Sequence, residues 1–392
     1  MLTLDNITVS HKRVLVREDF NVPIHNGVIT DDARLLAALP TLQYLLQQNA
    51  AVAIISHLGQ PKEGAFDSAF SLAPIADYLS QALGQPVIFR PEGLEGLELK
   101  PGQIALCENV RFTVGEKNND PVLAKKMAAW CEVFVMDAFA SAHRSQTSTV
   151  GVAEFAPIAC AGPLLHAEIQ ALNAAFIAPK APLLAIIGGA KVSSKFKLLD
   201  HLSQKVDKLI IGGGMANTFL AAQGLPVGAS LCEPDLIPDA KALLATRHNI
   251  LLPIDVVVAT ECNPSVSTQV KLVRDVAASD KILDIGPQTI AAYEKEISQA
   301  NTILWNGPVG VFEVAPFAAG TQAIALAVAK SAAYSLAGGG DTLAAIHQFK
   351  CAAGISYIST GGGALLEFLQ GDTLPAIAML EKRAQASTGV IQ

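Results

Sequence analysis

Arginine and histidine recur just after short apolar runs in the first half of the chain. Arg17-Glu18-Asp19-Phe20-Asn21 follows one run, Ser56-His57-Leu58-Gly59-Gln60 the next, and Glu108-Asn109-Val110-Arg111-Phe112 a later one. Asp137 then leads to His143-Arg144, and Arg34 lies in the helical pattern after the first of these turns. Of nine arginines, six precede residue 150: Arg13, Arg17, Arg34, Arg90, Arg111 and Arg144. A guanidinium offers a rigid fork of donors that matches carboxylate or phosphate. Arginines gathered with a histidine at one sheet edge read as a site for a small, highly charged anion. The plainer alternative pairs Arg17 with Asp19, Arg34 with Asp31 and Arg111 with Glu108, as surface ion pairs of little energy.

The second half carries glycine and lysine at the equivalent places. Gly188-Gly189-Ala190-Lys191-Val192-Ser193-Ser194-Lys195 follows one apolar run and Gly212-Gly213-Gly214 another. Trp305-Asn306-Gly307-Pro308-Val309-Gly310-Val311-Phe312-Glu313 comes later, then Gly338-Gly339-Gly340-Asp341-Thr342 and Thr360-Gly361-Gly362-Gly363. Glycine at a strand-to-helix turn lets backbone N–H groups approach a phosphate, and the helix N-terminus adds favourable partial charge. Lys191 and Lys195, four apart, are expected on one face of the opening helix, within reach of a polyphosphate. Asp341 in its glycine turn suits Mg²⁺ held by one carboxylate and water. Neither GxxxxGK[ST] nor a GxGxxG after a strand occurs, and H-E-x-x-H, G-x-S-x-G and protein-kinase motifs are also missing. A nucleotide would therefore be held by a different glycine arrangement.

The elements that must position these residues alternate. Strands are expected near Arg13–Arg17, Ala51–Ser56, Gln103–Cys107 and Glu132–Met136. In the second half they fall near Pro182–Ile187, Asp207–Ile211, Ile250–Ile254, Thr302–Trp305, Tyr334–Leu336 and Ser356–Ser359. Between them run helical patterns such as Asp31–Gln48, Asp120–Cys131, Lys195–Leu202 and Thr321–Ser331. Strands apolar on both faces and separated by helices imply parallel sheets covered on each side. Ligands in such folds bind beyond the carboxyl ends of the strands, where the polar turns above are found. The stretch Pro163–Pro182, with a helix over Leu164–Phe176, marks the boundary between two units.

Composition agrees with two α/β domains in 392 residues: 51% hydrophobic and 16% charged residues exclude disorder. No apolar run reaches the roughly 18 residues of a membrane span, and Met1–Val9 lacks the pattern of a secretory signal. A net charge of −7 argues against non-specific nucleic-acid binding. The six cysteines, Cys107, Cys131, Cys160, Cys232, Cys262 and Cys351, form no CxxC and are expected to be buried, reduced and small-apolar in role. With no signal, that places the chain in the cytosol.

Ten motifs then fall in one order: VREDFNVP (Val16 to Pro23), DDARL (Asp31 to Leu35), SHLGQP (Ser56 to Pro61), ENVRF (Glu108 to Phe112), MDAFASAHR (Met136 to Arg144), GGAKVSSK, GGGMANTFL (Gly212 to Leu220), WNGPVGVFE, AGGGDT (Ala337 to Thr342) and STGGGA (Ser359 to Ala364). In these motifs, across essentially its whole length, the chain resembles the phosphoglycerate kinases. The resemblance implies two Rossmann-like, doubly wound parallel-sheet domains joined by a hinge helix, with a cleft between them. The phosphoglycerate-binding domain would span 1–170, with 376–392 returning to it, and the nucleotide-binding domain 171–375. It implies reversible, Mg²⁺-dependent transfer from 1,3-bisphosphoglycerate to ADP by a monomeric cytosolic enzyme of glycolysis. Carried over by position, Asp19, Phe20, Asn21, Arg34, His57, Leu58, Gly59, Gln60, Arg111 and Arg144 would surround the phosphoglycerate. Lys195, Gly212, Gly213, Gly214, Asn306, Pro308, Val309, Glu313, Gly339, Gly340, Asp341 and Thr342 would hold the nucleotide, with Asp341 on its magnesium. Arg34, Lys191, Gly361, Gly362 and Gly363 would stabilise the phosphoryl group in flight. Two residues depart from the family pattern: Gln60 stands where Arg is usual, and Glu18 where an apolar residue is usual. A non-catalytic two-domain small-anion binding protein would account for the arginines but not for the Gly/Lys/Asp set. A nicotinamide dehydrogenase is disfavoured by the missing fingerprint.

Overall fold

The computed structural model describes residues 1–388. Two compact units emerge, one of Met1–Ile169 with the C-terminal segment from Thr373, the other of Gln170–Asp372. Of the segment 376–392 expected to rejoin the first unit, the last four residues lie outside those described.

The first unit is built on a six-stranded parallel sheet of β1 (Arg13–Arg17), β2 (Ala51–Ile55), β3 (Val87–Arg90), β4 (Ile104–Cys107), β5 (Val133–Met136) and β6 (Ile158–Ala161), in the order β3-β4-β2-β1-β5-β6. Alternate side chains separate the faces. Val14, Val16, Val52, Ile54 and Leu106 join Leu35, Leu42, Ile75 and Leu79 in one core, under helices Ala33–Gln47 and Ala73–Leu83. Leu15, Ala53 and Phe134 point the other way and are equally buried. Register aligns Arg17 with Ile55 and Met136, so the residues after these strands meet at one edge. Helix Pro121–Trp130 shows why its sequence starts there: Asp120 accepts from the N–H groups of Val122 (2.9 Å) and Leu123 (2.7 Å), and Pro121 occupies the first turn.

The second unit has its own parallel sheet. With β7 (Leu183–Ile187), β8 (Lys208–Ile211), β9 (Ile250–Leu251), β10 (Asp255–Ala259), β11 (Gln269–Leu272), β12 (Lys281–Ile285), β13 (Thr302–Asn306), β14 (Tyr334–Gly338) and β15 (Tyr357–Ser359), the main order is β9-β8-β7-β13-β14-β15. Renumbered within the sheet this is 3-2-1-4-5-6, the Rossmann order. Leu184, Ile186, Ile303 and Trp305 pack with Tyr293, Ile297, Ile324 and Val328 of helices Pro287–Gln299 and Ala319–Lys330.

Several elements differ from those expected from the sequence. The strand expected over Ile250–Ile254 ends at Leu251, because Pro253 cannot donate to a ladder. The strands Val87–Arg90 and Ile158–Ala161 and the antiparallel sheet β11-β10-β12 were not anticipated. The helix expected over Leu164–Phe176 is present as Pro163–Leu172 continued by one π-helical turn, Asn173–Ile177, and the units divide within it, inside the expected stretch Pro163–Pro182. All six cysteines are free, but only Cys107, Cys131, Cys160 and Cys351 are buried; Cys262 is exposed and Cys232 half-buried. Among the described residues no helix is long and apolar enough to cross a membrane.

Candidate active site

In the first unit the turns beyond β1, β2, β4 and β5 are tied together by side-chain bonds. Ser56 Oγ donates to the Glu18 carbonyl and accepts from the Phe20 N–H, both at 2.8 Å, which fixes the β1 turn on the β2 turn. Asn21 Oδ1 accepts from the Gly59 N–H at 2.8 Å, and Arg111 Nη1 donates to the Gly59 carbonyl. Gly59 has φ +57°, and a Cβ there would lie 2.3 Å from the Phe70 ring, so only glycine fits. Arg34 Nη1 donates to Asp19 Oδ1 (3.0 Å) and to the Asn21 carbonyl (3.1 Å). Burial opposes a charge on Asp19, yet the surrounding cationic groups and the Asn21 N–H outweigh it and hold the carboxyl below its usual range. Arg144 Nε lies 3.4 Å from His143 Nε2.

The local ion pairs that could have explained the arginines away are not the ones formed. Arg34 meets Asp19 rather than Asp31. Glu108 is occupied by Ser71 Oγ and the N–H groups of Leu72 and Asn109, which leaves Arg111 for the Gly59 carbonyl. Two residues drawn from the motif sit otherwise than expected: the Phe20 and Leu58 side chains belong to the apolar core, so only their backbone borders the site. Gln60 is exposed. Glu18 is 1% exposed; burial, then Asp137, pushes its carboxyl well above the usual range, against the pull of Arg17. Asp137, pushed up to about 6 chiefly by burial, accepts from the N–H groups of Leu164 (2.7 Å) and Leu165 (3.1 Å) and so caps helix Pro163–Leu172.

In the second unit the glycine turns interlock. A Cβ on Gly188 would lie 1.9 Å from the Pro308 carbonyl oxygen, and one on Gly213 (φ +67°) 2.6 Å from the Gly189 carbonyl oxygen. Much of the glycine is thus required by turn-on-turn packing, not by phosphate approach. Gly340 and Gly362 differ, since a Cβ on either would meet nothing within 4 Å. Both stand where helices Gly340–Gln348 and Gly363–Leu369 begin, so open backbone at a helix start is available to an anion.

Asn306 links the turns. Its Oδ1 accepts from Lys195 Nζ at 2.6 Å, and its Nδ2 donates to the Gly338 carbonyl at 2.7 Å. Lys195 Nζ also donates to the Gly188 carbonyl at 2.8 Å. Burial lowers the Lys195 ammonium to about 8, against the pull of Asp341. Thr342 Oγ1 accepts from the Gly307 N–H at 2.7 Å. The expected lysine face is corrected: the helix begins at Phe196, with Lys195 as its N-cap and Lys191 exposed in the preceding turn. That turn is pinned by Glu233, which accepts from Ser193 Oγ (2.6 Å) and N–H (3.0 Å); nothing in the local sequence signals a partner 40 residues away. A cavity of about 570 Å³ opens beside these turns, lined in part by Gly213, Gly214, Pro308, Val309, Glu313 and Asp341. Gly212 is not at its wall, because its missing side chain is needed for Val309.

Asp341 is exposed, and no group of three or more His, Cys, Asp or Glu residues is arranged to hold a metal among the described residues. That donor set fits Mg²⁺ carried in on nucleotide phosphates, with one protein carboxylate and water completing it.

The phosphoglycerate kinase family model matches residues 4–372. The chain belongs to the phosphoglycerate kinase family. Phosphoglycerate kinases of Legionella pneumophila strains Corby and Lens are each 55% identical over 389 residues, covering 98% of both chains. The structure of phosphoglycerate kinase from Coxiella burnetii is similar at 51% identity and TM-score 0.94, covering 98% of this chain and 99% of that one. That from Pyrococcus horikoshii OT3 matches at 32% identity and TM-score 0.83, covering 98% and 100%. The enzyme is accordingly a phosphotransferase with a carboxyl group as acceptor, acting in glycolysis on small-molecule substrates with ATP and ADP. The binding-protein and dehydrogenase alternatives fall away.

Proposed function

We propose that the two units divide the reaction 1,3-bisphosphoglycerate + ADP ⇌ 3-phosphoglycerate + ATP between them. In the first, Asp19, Asn21, Arg34, His57, Arg111 and Arg144 hold the phosphoglycerate, with the backbone of Phe20, Leu58 and Gly59 and the side chain of Gln60 at its border. In the second, Gly213, Gly214, Pro308 and Val309 enclose the base and ribose, and Glu313 takes the ribose hydroxyls. Lys195, held by Asn306, and the turn Gly339–Thr342 take the phosphates. Asp341 provides the carboxylate for Mg²⁺, which neutralises phosphate charge when bound.

Towards ATP consumption, an oxygen of the 3-phosphoglycerate carboxylate attacks the γ-phosphorus while the bond to the ADP oxygen breaks. A carboxylate is already ionised at neutral pH, so the step needs positioning and charge neutralisation and no general base. Arg34, Lys191 and the N–H groups at Gly361–Gly363 supply that neutralisation. Water must be kept from the γ-phosphate, which for half-sites on separate units calls for a closing motion. The enzyme works as a cytoplasmic monomer.

The observation that carries the reading is Arg34. Both of its hydrogen bonds to the protein run through Nη1, which fixes the guanidinium while leaving Nε and Nη2 to an anion. Arg34→Ala is expected to lower turnover by roughly 10²–10³-fold with ADP affinity near wild type. Unchanged turnover in a coupled assay removes Arg34 from the transferring centre.

A further inference from the structure

Arg17 is 1% exposed, more deeply buried than any other described arginine, and the motif reading gave it no role in the site. Its Nε donates to Ser148 Oγ at 3.1 Å, its Nη1 to the Glu18 carbonyl, and its Nη2 lies 3.1 Å from His57 Nδ1. A guanidinium has five donors and no acceptor, and it stays protonated in proteins. The His57 atom facing it must therefore present a lone pair. A neutral ring then carries its proton on Nε2.

The far side of Arg17 is polarised the same way. Ser148 Oγ donates its own proton to Glu116 Oε1 at 2.6 Å, and the Ser148 N–H donates to Glu116 Oε2 at 3.0 Å. With its proton committed to Glu116, the hydroxyl can only accept from Arg17. Burial lowers the Arg17 guanidinium from its ordinary value, and Asp19 and then Glu116, itself 1% exposed, act against that lowering. Donation thus runs outward from Arg17 on both sides, through Ser148 to Glu116 and directly to His57. Burial and the charge of Arg17, with smaller contributions from Arg144 and Arg34 and against Asp19, bring His57 down to about 3, so the ring is neutral at pH 7.

We propose that Arg17 is a positioning residue that locks His57 in its neutral Nε2–H tautomer, so that the ring meets the substrate oxyanion as a fixed hydrogen-bond donor and not as a cation. Ser148 and Glu116 hold Arg17 to that task. The inference rests on the reading of His57 as part of the phosphoglycerate half-site.

The test is long-range ¹H–¹⁵N correlation of the full-length, ¹⁵N-histidine-labelled protein without substrate at pH 7. His57→Gln assigns the signal. A lone-pair Nδ1 and protonated Nε2 are expected; a protonated Nδ1 or a doubly protonated ring overturns the proposal. This measurement on the wild-type protein does not depend on any variant folding. Ser148→Ala should then mix the two tautomers and raise KM for 3-phosphoglycerate about three- to tenfold, the loss of one aimed hydrogen bond, with kcat and KM for MgATP within about twofold. A single unchanged tautomer in Ser148→Ala overturns the role of the chain. Should His57→Gln leave KM for 3-phosphoglycerate unchanged, the half-site reading fails, and with it the substrate-donor role; a wrong tautomer alongside an intact KM effect defeats this inference alone.

Discussion

Replacing Asn306 with alanine removes two hydrogen bonds that hold three turns of the second unit in register. One is charge-assisted, from Lys195 Nζ at 2.6 Å; the other is neutral, to the Gly338 carbonyl at 2.7 Å. Asn306 is 4% exposed, so water does not readily replace either partner. A bond to a charged group contributes about 1.5–3 kcal/mol and a neutral one about 0.5–1.5 kcal/mol, so the loss is about 2–4.5 kcal/mol. For a unit of this size, that lowers the melting temperature by roughly 5–15 °C. Lys195 keeps its bond to the Gly188 carbonyl but loses its aim, and MgATP affinity should fall about tenfold. Thermal melts and MgATP titration measure both effects. Asn306→Asp separates their causes, because it keeps an acceptor for Lys195 while setting an oxygen against the Gly338 carbonyl and a negative charge beside the phosphates. Wild-type affinity and melting temperature in Asn306→Ala would refute the reasoning.

The remaining predictions concern charge. Asp341→Ala should abolish the magnesium dependence of ATP affinity in titrations with and without Mg²⁺; unchanged dependence removes Asp341 as the metal-bearing carboxylate. Gln60→Arg adds a guanidinium beside the phosphoglycerate half-site and should tighten 3-phosphoglycerate binding by calorimetry, equal or weaker binding counting against it. Lys195 is lowered to about 8 in the free protein, so it is charged at pH 7 and loses its proton as pH rises through 8. Phosphate favours the charged form, so above pH 8 binding must take up a proton, and MgATP affinity should fall by about tenfold per pH unit. Lys195→Arg should flatten that profile; a wild-type profile already flat to pH 9 contradicts it.

What the sequence made legible followed from period and punctuation. Runs such as Arg13–Arg17 and Leu183–Ile187, apolar on both faces, announced parallel strands, and the polar or glycine-rich turns after them are the ones to which the half-sites are assigned in the proposal. Less visible was anything set by partners distant in sequence. Val87–Arg90 and Ile158–Ala161 are four-residue strands whose neighbours in the sheet decide them, and Pro and Asn through residues 260–268 obscured the hairpin between β10 and β11. Glycine was read too simply, because GGAK and GGGM look alike whether a turn receives phosphate or a neighbouring turn. Only the space around Gly340 and Gly362, against the crowding at Gly188 and Gly213, separates the two uses. Likewise Glu18 looked like a departure and Arg17 like one more arginine, while burial pushes the Glu18 carboxyl well above its usual range and sets the Arg17 guanidinium against His57.

The division of the reaction between two half-sites is tested most directly by following ADP release from ATP and Mg²⁺ with and without 3-phosphoglycerate, in the wild-type protein and in Arg34→Ala. The account predicts rapid ADP formation only when the acceptor is present, and its near loss in the variant. ADP formed equally without the acceptor, or undiminished in Arg34→Ala, would contradict it.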